Sequence, residues 1–332
     1  MKPAVSVVLP FRDAAPTLPD AIESIRTQTL AELECLLVDD GSMDGSSAIA
    51  RRVAAEDPRF RLLQAGSGLV GALNLGIEAA RADWIARMDA DDFSHPRRLE
   101  RQLAAARATP DVAVVGSLVR CFPAAALRDG MRRYEAWLNS LTTPEQIRNA
   151  LFVESPLAHP SVLISRAALQ AAGGYHDTGG PEDYDLWLRL LLGPHRACKV
   201  AEVLLDWRDS PGRLTRTHPC YRAERIFETK LRYVDRVIPS GSPLQIWGAG
   251  PIGRGWGREL LRRGYRLRRY IDIDPRKIGR KRRGVPVEAP AALARDDGYV
   301  LVAVGSPGAR DLIEPQLQGR GFEPWRDYLC VA

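Results

Sequence analysis

Between Val5 and Val119, short β-rich runs and helical segments follow one another in strict turn. VSVVLP, LECLLVDD, FRLLQA, WIARMDADD and VAVVGSLV read as strands; LPDAIESIRTQ, SSAIARRVAAED, GLVGALNLGIEAARA and PRRLERQLAAARA read as helices. Parallel strands need long crossovers, so this order implies a largely parallel sheet with helices on both faces. Such sheets bind ligands at the carboxyl ends of their strands. Here those ends are charged: PFRD, VDDGSMDG and RMDADD.

The 332 residues exceed the usual size of one domain and can bury two cores. TPEQIRNALF, SRAALQAAGGY and PEDYDLWLRLLLG read as helices in a less regular middle, and RDSPGRLTRTHP as a loop rich in turn formers. A helical stretch, CYRAERIFETKLRYVDRV, then runs into IPSGSP, whose Pro, Ser and Gly mark a linker and a boundary near Ser240. Beyond it the pattern of strand, glycine turn and helix restarts in LQIWGAGPIGRGWGRELLRRGYRLRRYIDIDP and again in YVLVAVGSPGARDLIEPQLQGRGF. A second, smaller doubly wound unit is predicted there.

Asp89 and Asp91 alternate, so on an extended strand end they share a face. With Asp92 adjacent, like charges repel and raise one another's pKa, and a hard divalent cation is the simplest remedy. The same tripeptide also fits a solvated loop that caps the helix near Pro96. Asp39 and Asp40, followed by Gly41 and Asp44, form a second acidic strand end. Acids so placed can accept hydrogen bonds from a base and ribose hydroxyls, and they also build ordinary turns.

Taken together, VSVVLPFRD, VDDGSMDGS, GLVGALNLGIEAARADWIARMDADD, HPRRLERQ, HPSVLISRAALQAAGGY and PEDYDLWLRL resemble family 2 glycosyltransferases over nearly all of the first domain. The resemblance implies a GT-A nucleotide-diphospho-sugar transferase fold, an α/β doubly wound mixed sheet, over residues 1–215. A helical linker over 216–242 and a small Rossmann-like α/β domain over 243–332 follow. By the same resemblance Pro10, Phe11 and Arg12 belong to the donor pocket, and Asp39 or Asp40 holds the uracil and ribose of a UDP-sugar. Asp89 and Asp91 bind Mn²⁺ or Mg²⁺ and the diphosphate, with His218 as a third metal ligand. Asp183 is the general base, and Glu182 and His159 lie on the acceptor side. For Glu182 and Asp183 the other reading is an acidic helix start favoured by the macrodipole; His218 also reads as a solvated loop residue, and His159 as plain packing. Arg98, Arg213 and Arg216 are the basic candidates for stabilising the leaving diphosphate. Two departures concern donor contacts: Arg12-Asp13 stand where the family often has Asn, and Leu73 where many members carry Arg.

In the second domain Gly248, Gly250 and Gly253 lie between a predicted strand and helix, with Asp272 and Asp274 about twenty residues on, the spacing of a dinucleotide fingerprint. With RKIGRKRRGVPV the segment resembles the N-terminal Rossmann-like domain of sugar-nucleotide acyltransferases. Gly248, Gly250, Gly253 and Asp272 are thus a candidate second site for a nucleotide or NAD; a glycine turn that only fits helix to strand is the alternative. Two rival functions follow: a NAD-dependent oxidoreductase acting on nucleotide-sugars, and a degenerate, non-catalytic nucleotide-sugar-binding protein. A dehydrogenase is the weaker reading, because this domain leaves no room for a substrate domain.

The net charge of +6 and the runs RRGYRLRRY and RKIGRKRR suit anionic ligands or an acidic membrane surface. No aromatic interleaving points to nucleic acid. Five scattered cysteines without a C-x-x-C pair indicate free thiols in a reducing compartment rather than disulfides or zinc. No apolar run approaches ~18 residues, so a cytoplasmic protein is expected, with peripheral contact at the inner membrane face through the basic patch. The expected activity is metal-dependent, inverting transfer of a sugar from a nucleotide donor to a glycan or lipid-linked acceptor in surface polysaccharide synthesis.

Overall fold

Every residue of strand β1 (Val5–Phe11) is buried, and so is every residue of β2 (Leu33–Asp39). Strands covered on both faces read as continuous apolar runs, as these do. Between them α1 (Leu18–Arg26) buries Leu18, Ala21, Ile22 and Ile25, one face at helical spacing. Burying each Leu or Ile contributes about 1.5–3 kcal/mol. Next come α2 (Ser46–Glu56), β3 (Phe60–Gln64), α3 (Gly68–Ala79) and β4 (Trp84–Arg87). Helix α3 lies close on β1 because Gly76 has no side chain; a Cβ there would stand 2.4 Å from a Val8 methyl.

The computed structural model describes residues 2–332. After β5 (Phe93–Ser94) the chain forms α4 (Arg98–Ala108), β6 (Val112–Phe122), α5 (Asp129–Ser140), α6 (Pro144–Ala150), β7 (Leu163–Ser165), α7 (Arg166–Ala171), α8 (Glu182–Leu191) and β8 (Arg196–Arg208). The sheet order is β3-β2-β1-β4-β7-β6-β8-β5. It is parallel from β3 to β4, whereas β7 runs antiparallel to β4 and β6, and β5 to β8, making the sheet mixed as expected. Register aligns the strand ends, with Phe11 beside Asp39 and Asp39 beside Gln64. Strand β4 stops at Arg87, so Asp89 and Asp91 stand in the turn beyond it rather than on an extended strand end. The segment read as a loop contains a short helix, α9 (Leu214–Thr217).

Two units divide the chain: one runs to Arg148 and includes Pro156–Thr229; the other comprises Asn149–Ser155 and Lys230–Ala332. This corrects the boundaries expected at 215 and 243. The stretch expected as a helical linker contains helix α10 (Ala223–Val234), within which the division falls. Asn149–Ser155 belongs with the second unit through side chains: Asn149 Oδ1 accepts from Trp325 Nε1 at 2.8 Å, Phe152 meets the Trp325 ring edge-on, and Lys230 Nζ donates to the Val153 carbonyl at 2.7 Å.

The second unit holds β9 (Leu244–Trp247), α11 (Pro251–Arg262), β10 (Leu267–Ile271), β11 (Lys281–Arg282), β12 (Val285–Glu288), β13 (Tyr299–Val302), α12 (Ala309–Gln318) and β14 (Tyr328–Cys330). Its sheet order is β11-β12-β10-β9-β13-β14, parallel except for the β11–β12 hairpin, around its own core of Trp247, Ile271, Val300, Leu317 and Tyr328. All five cysteines are free. Among the described residues no helix is long and apolar enough to cross a membrane.

Candidate active site

The turn after β4 brings one carboxylate oxygen each of Asp89, Asp91 and Asp92 within 4.8 Å of one another. Arg87, 5 % exposed, pairs with Asp89 from the last position of the strand. Burial works against the Arg87 charge, and Asp89 outweighs it, so the guanidinium stays protonated. Asp92 is buried; its Oδ1 accepts from the Arg208 amide at 2.7 Å, while Oδ2 has no hydrogen-bond partner. Arg208 Nε donates to the Asp91 carbonyl at 2.7 Å, and its guanidinium lies over the rings of Phe122 and Phe93. Strand β8 therefore clamps the acidic turn from outside.

Burial and then Asp89 push the Asp91 carboxyl up to about 6, against the pull of Arg213, Arg87 and Arg208. Asp92 is raised as well, by burial and then by Asp89 and Asp91. A divalent cation fits this group: the donors are all hard oxygens, one buried oxygen lacks a partner, and a cation would reverse the mutual repulsion. His218 does not join them. Its Nδ1 stands 3.0 Å from Cys220 Sγ at the end of α9, and the three-residue ligand group consists of aspartates alone.

A second acidic pair opens α8. Desolvation and then Glu182 push Asp183 up to about 8, although the Tyr184 amide donates to its Oδ1 at 2.7 Å. Glu182, 5 % exposed, is also raised, chiefly by burial. Tyr221 donates to Glu182 at 3.2 Å, and His159 Nδ1 lies 3.7 Å from it. The other His159 nitrogen meets the Tyr175 hydroxyl at 2.6 Å; burial and then Arg87 hold this imidazole neutral. Asp91, Glu182, Asp183 and His159 all feel the charge of Arg87, and Glu182 feels that of Asp89. The two acidic groups thus share one site around a buried guanidinium.

At the end of β2, Asp39 Oδ1 accepts from the Ser42 amide at 2.9 Å and its Oδ2 takes a short bond from Ser47. Burial raises its pKa, but these bonds outweigh burial and lower it. Asp40 Oδ1 accepts from the amides of Gly66 and Gly68 at 3.1 and 3.0 Å. The neighbouring loop is stitched on by Asp13, which accepts from Met43 at 2.7 Å, and Asp44, which accepts from Ala15 at 2.9 Å. Phe11 is part of the hydrophobic core and Pro10 is buried, so at this strand end Arg12 alone of the expected trio presents an exposed side chain.

The three basic candidates separate. Arg98 is fully buried and donates to the carbonyls of Pro160 at 2.6 Å and Arg87 at 3.1 Å, which removes it from a diphosphate and makes it a brace for the β4 turn. Arg216 is bound to Asp209 at 2.5 Å. Arg213 stacks 3.9 Å above the Trp207 ring with its charge acting on Asp91 and Asp92. Sequence reasoning missed Arg87 and Arg208 as organisers; the signal for Arg87 was a charge inside an apolar run, since a buried arginine requires a partner acid.

In the second unit the glycine turn divides its tasks. Gly248 has φ of +118°, a Cβ on Gly253 would lie 1.8 Å from the Gly248 carbonyl oxygen, and Gly250 faces open space. Asp272 is already engaged: it accepts from the amides of Ala249 at 2.9 Å and Asp274 at 3.0 Å and from Lys277 Nζ at 3.0 Å.

The family model described as "Glycosyl transferase family 2" matches residues 6–173. The chain is 33 % identical to EpsE of Bacillus subtilis (strain 168) over 213 residues, 62 % of this chain and 73 % of EpsE. It is 30 % identical to the amylovoran biosynthesis glycosyltransferase AmsE of Erwinia amylovora over 207 residues, 62 % of this chain and 75 % of AmsE. Among solved structures, S. aureus TarS 1-349 in complex with UDP-GlcNAc superposes with a TM-score of 0.55 at 16 % identity, covering 70 % of this chain and 66 % of that one. At that identity the likeness concerns the fold, which is that of GT-A-like glycosyltransferases.

Proposed function

The chain belongs to glycosyl transferase family 2, and from that premise we propose how its residues divide the work. It is a glycosyltransferase that moves a sugar from a nucleotide-sugar to an acceptor in polysaccharide synthesis. The donor is a UDP-sugar, as in the TarS complex, held by Asp39, Asp40 and the Arg12 loop at the ends of β1 and β2. The acceptor is a glycan or lipid-linked glycan, reached from the cytoplasmic side of the membrane. Asp89, Asp91 and Asp92 would hold Mn²⁺ or Mg²⁺, which when bound supplies positive charge to the departing diphosphate without a proton.

Asp183 is the general base. The acceptor oxygen bonds to the anomeric carbon, the bond from that carbon to the diphosphate breaks with its electron pair leaving on the diphosphate, and the hydroxyl proton passes to Asp183. A base with pKa near the working pH combines a useful ionised fraction with enough proton affinity. Attack from the face opposite the leaving group inverts the anomeric centre. Glu182, His159 and Tyr221 orient Asp183 and the acceptor edge, and Arg213 adds charge beside the diphosphate.

The observation that carries this reading is the meeting of the three frustrated aspartates and the Glu182–Asp183 pair around Arg87. We read the second unit as Rossmann-like. Its Asp272 is bound to Lys277, which leaves little for a ribose hydroxyl and weighs against the NAD-dependent alternative. The test is calorimetric titration of UDP with and without Mn²⁺ into the wild type and Asp91→Asn, with NAD in parallel. Metal-dependent UDP binding that vanishes in the variant is expected. UDP binding indifferent to both, or NAD binding alone, overturns the assignment.

A further inference from the structure

The second unit carries a cleft of about 390 Å³ lined by Pro251, Arg254, Gly255, Arg258 and Arg283. That volume lies in the range of small-molecule sites. Several arginines of this unit are matched to acids: Arg262 and Arg263 to Glu259, Arg268 and Arg269 to Asp297, Arg276 to Asp274. Arg254, Arg258 and Arg283 have no carboxylate partner, and no acid lines the cleft with them. Arg254 and Arg258 are four residues apart on α11, so they stand on one face of the helix. The charges of Arg254 and Arg283 both act on the buried phenol of Tyr270.

Two backbone features favour an occupant. Gly253 and Gly257 in α11 are required by packing, since a Cβ at either would strike Gly248 or Tyr270. Gly255 is not: a Cβ there meets nothing within 4 Å. Glycine inside a helix is destabilising by roughly 0.5–1 kcal/mol relative to alanine, so this one lowers helix stability while leaving the cleft lining without a side chain at that position. Arg283 begins the two-residue turn of the β11–β12 hairpin with φ of +50°, followed by Gly284 at +82°. Such turns favour Asn, Asp or Gly at that position. Here an arginine occupies the strained place and reaches the cleft.

We propose that this cleft binds a diphosphate ester through Arg254, Arg258 and Arg283. Guanidinium forks match phosphate oxygens bidentately, and a diphosphate carries enough charge to answer three unpaired cations where one carboxylate would not. The walls have no aromatic ring for stacking a base, so the diphosphate itself is the recognised element. Two sources share this chemistry, a nucleoside diphosphate and a prenyl-diphosphate lipid. The inference does not depend on the catalytic assignment.

The test is calorimetry on the full chain in EDTA, where the uncompensated aspartates of the first unit repel anions, with inorganic pyrophosphate as the probe. Saturable binding weakened about tenfold or more by Arg254→Ala/Arg258→Ala, and unchanged by the exposed, acid-paired control Arg276→Ala, is expected. Gly255→Ala should weaken binding while leaving the melting temperature equal or higher, a combination that damage to the fold cannot produce. UDP and farnesyl diphosphate then identify the source: whichever binds more tightly than pyrophosphate carries the group that the surface beside the cleft also recognises, and equal binding means that the diphosphate alone is read. Absence of saturable binding, or equal weakening by Arg276→Ala, overturns the proposal.

Discussion

Each unit of this chain ends an apolar run in Asp-x-Asp, Asp89-Ala90-Asp91 in the first and Asp272-Ile273-Asp274 in the second, and the two have opposite physics. Asp272 receives two amides and Lys277, Asp274 pairs with Arg276, and both carboxyls are held below their ordinary values. Asp91 is raised to about 6 and Asp92 is raised with it, and one buried Asp92 oxygen is left without a partner. The second motif has resolved its charge within a few residues of itself. The first retains its conflict, with one arginine shared among several acids, and a site that must take up a cation needs such unspent negative charge.

The largest contrast is expected on catalysis. Asp91→Asn should lower sugar transfer about a thousandfold, since a metal supplies several kcal/mol of charge stabilisation, whereas Asp272→Asn should leave the rate near wild type; equal losses would break the comparison. Asp183→Asn should cost about a hundredfold in kcat with little change in donor KM. In the wild type the rate should rise with pH through about 8 as Asp183 loses its proton; the variant's profile should lack that limb.

Smaller effects appear in stability. Asp272→Asn should destabilise the second unit by about 1–3 kcal/mol through its buried hydrogen bonds, and Arg98→Met should destabilise the first by a similar amount, about 1–3 kcal/mol for the carbonyls it leaves unmatched. Denaturant melts of both variants, with transfer rates measured beside them, separate a brace from a diphosphate ligand. The pH slope of stability differs in sign between the two motifs. Asp91 binds its proton more tightly folded than unfolded, so in EDTA the stability it withholds is regained as pH falls from about 6 towards 3.8. For Asp272 the sign reverses: its lowered pKa adds stability above 3.8 that is lost on further acidification. Melts across pH 4 to 7 (about the span between the two carboxylate regimes) should show the first slope, and Mn²⁺ should abolish it.

Much of the fold was legible because its signals are local. Strands β1, β2 and β4 announce themselves as apolar runs, α1 as a face at helical spacing, and the glycine turns through residues that tolerate positive φ. The acidic turn and the Glu182–Asp183 pair were legible for the same reason. Arg98 was misread because an arginine after a proline looks solvated in sequence, whereas its guanidinium here bridges the carbonyls of Arg87 and Pro160, the latter sixty-two positions away. For His218 the sequence left two readings open, because only the approach of Cys220 shows where its nitrogen points. The inclusion of Asn149–Ser155 in the second unit left no trace in composition, since it rests on Trp325, distant in the chain.

The sequence alone determined the alternation of strands and helices, the existence of two cores, the family, and which carboxylates end which strands, because periodicity and chain neighbours are properties of a few consecutive residues. Tertiary structure alone decided which of two Asp-x-Asp motifs is satisfied and which is frustrated, that Arg87 sits among both acidic groups, and that three arginines line one cleft without acids. Those outcomes depend on dielectric and distance between groups far apart in the chain, and neither is defined until the chain has folded.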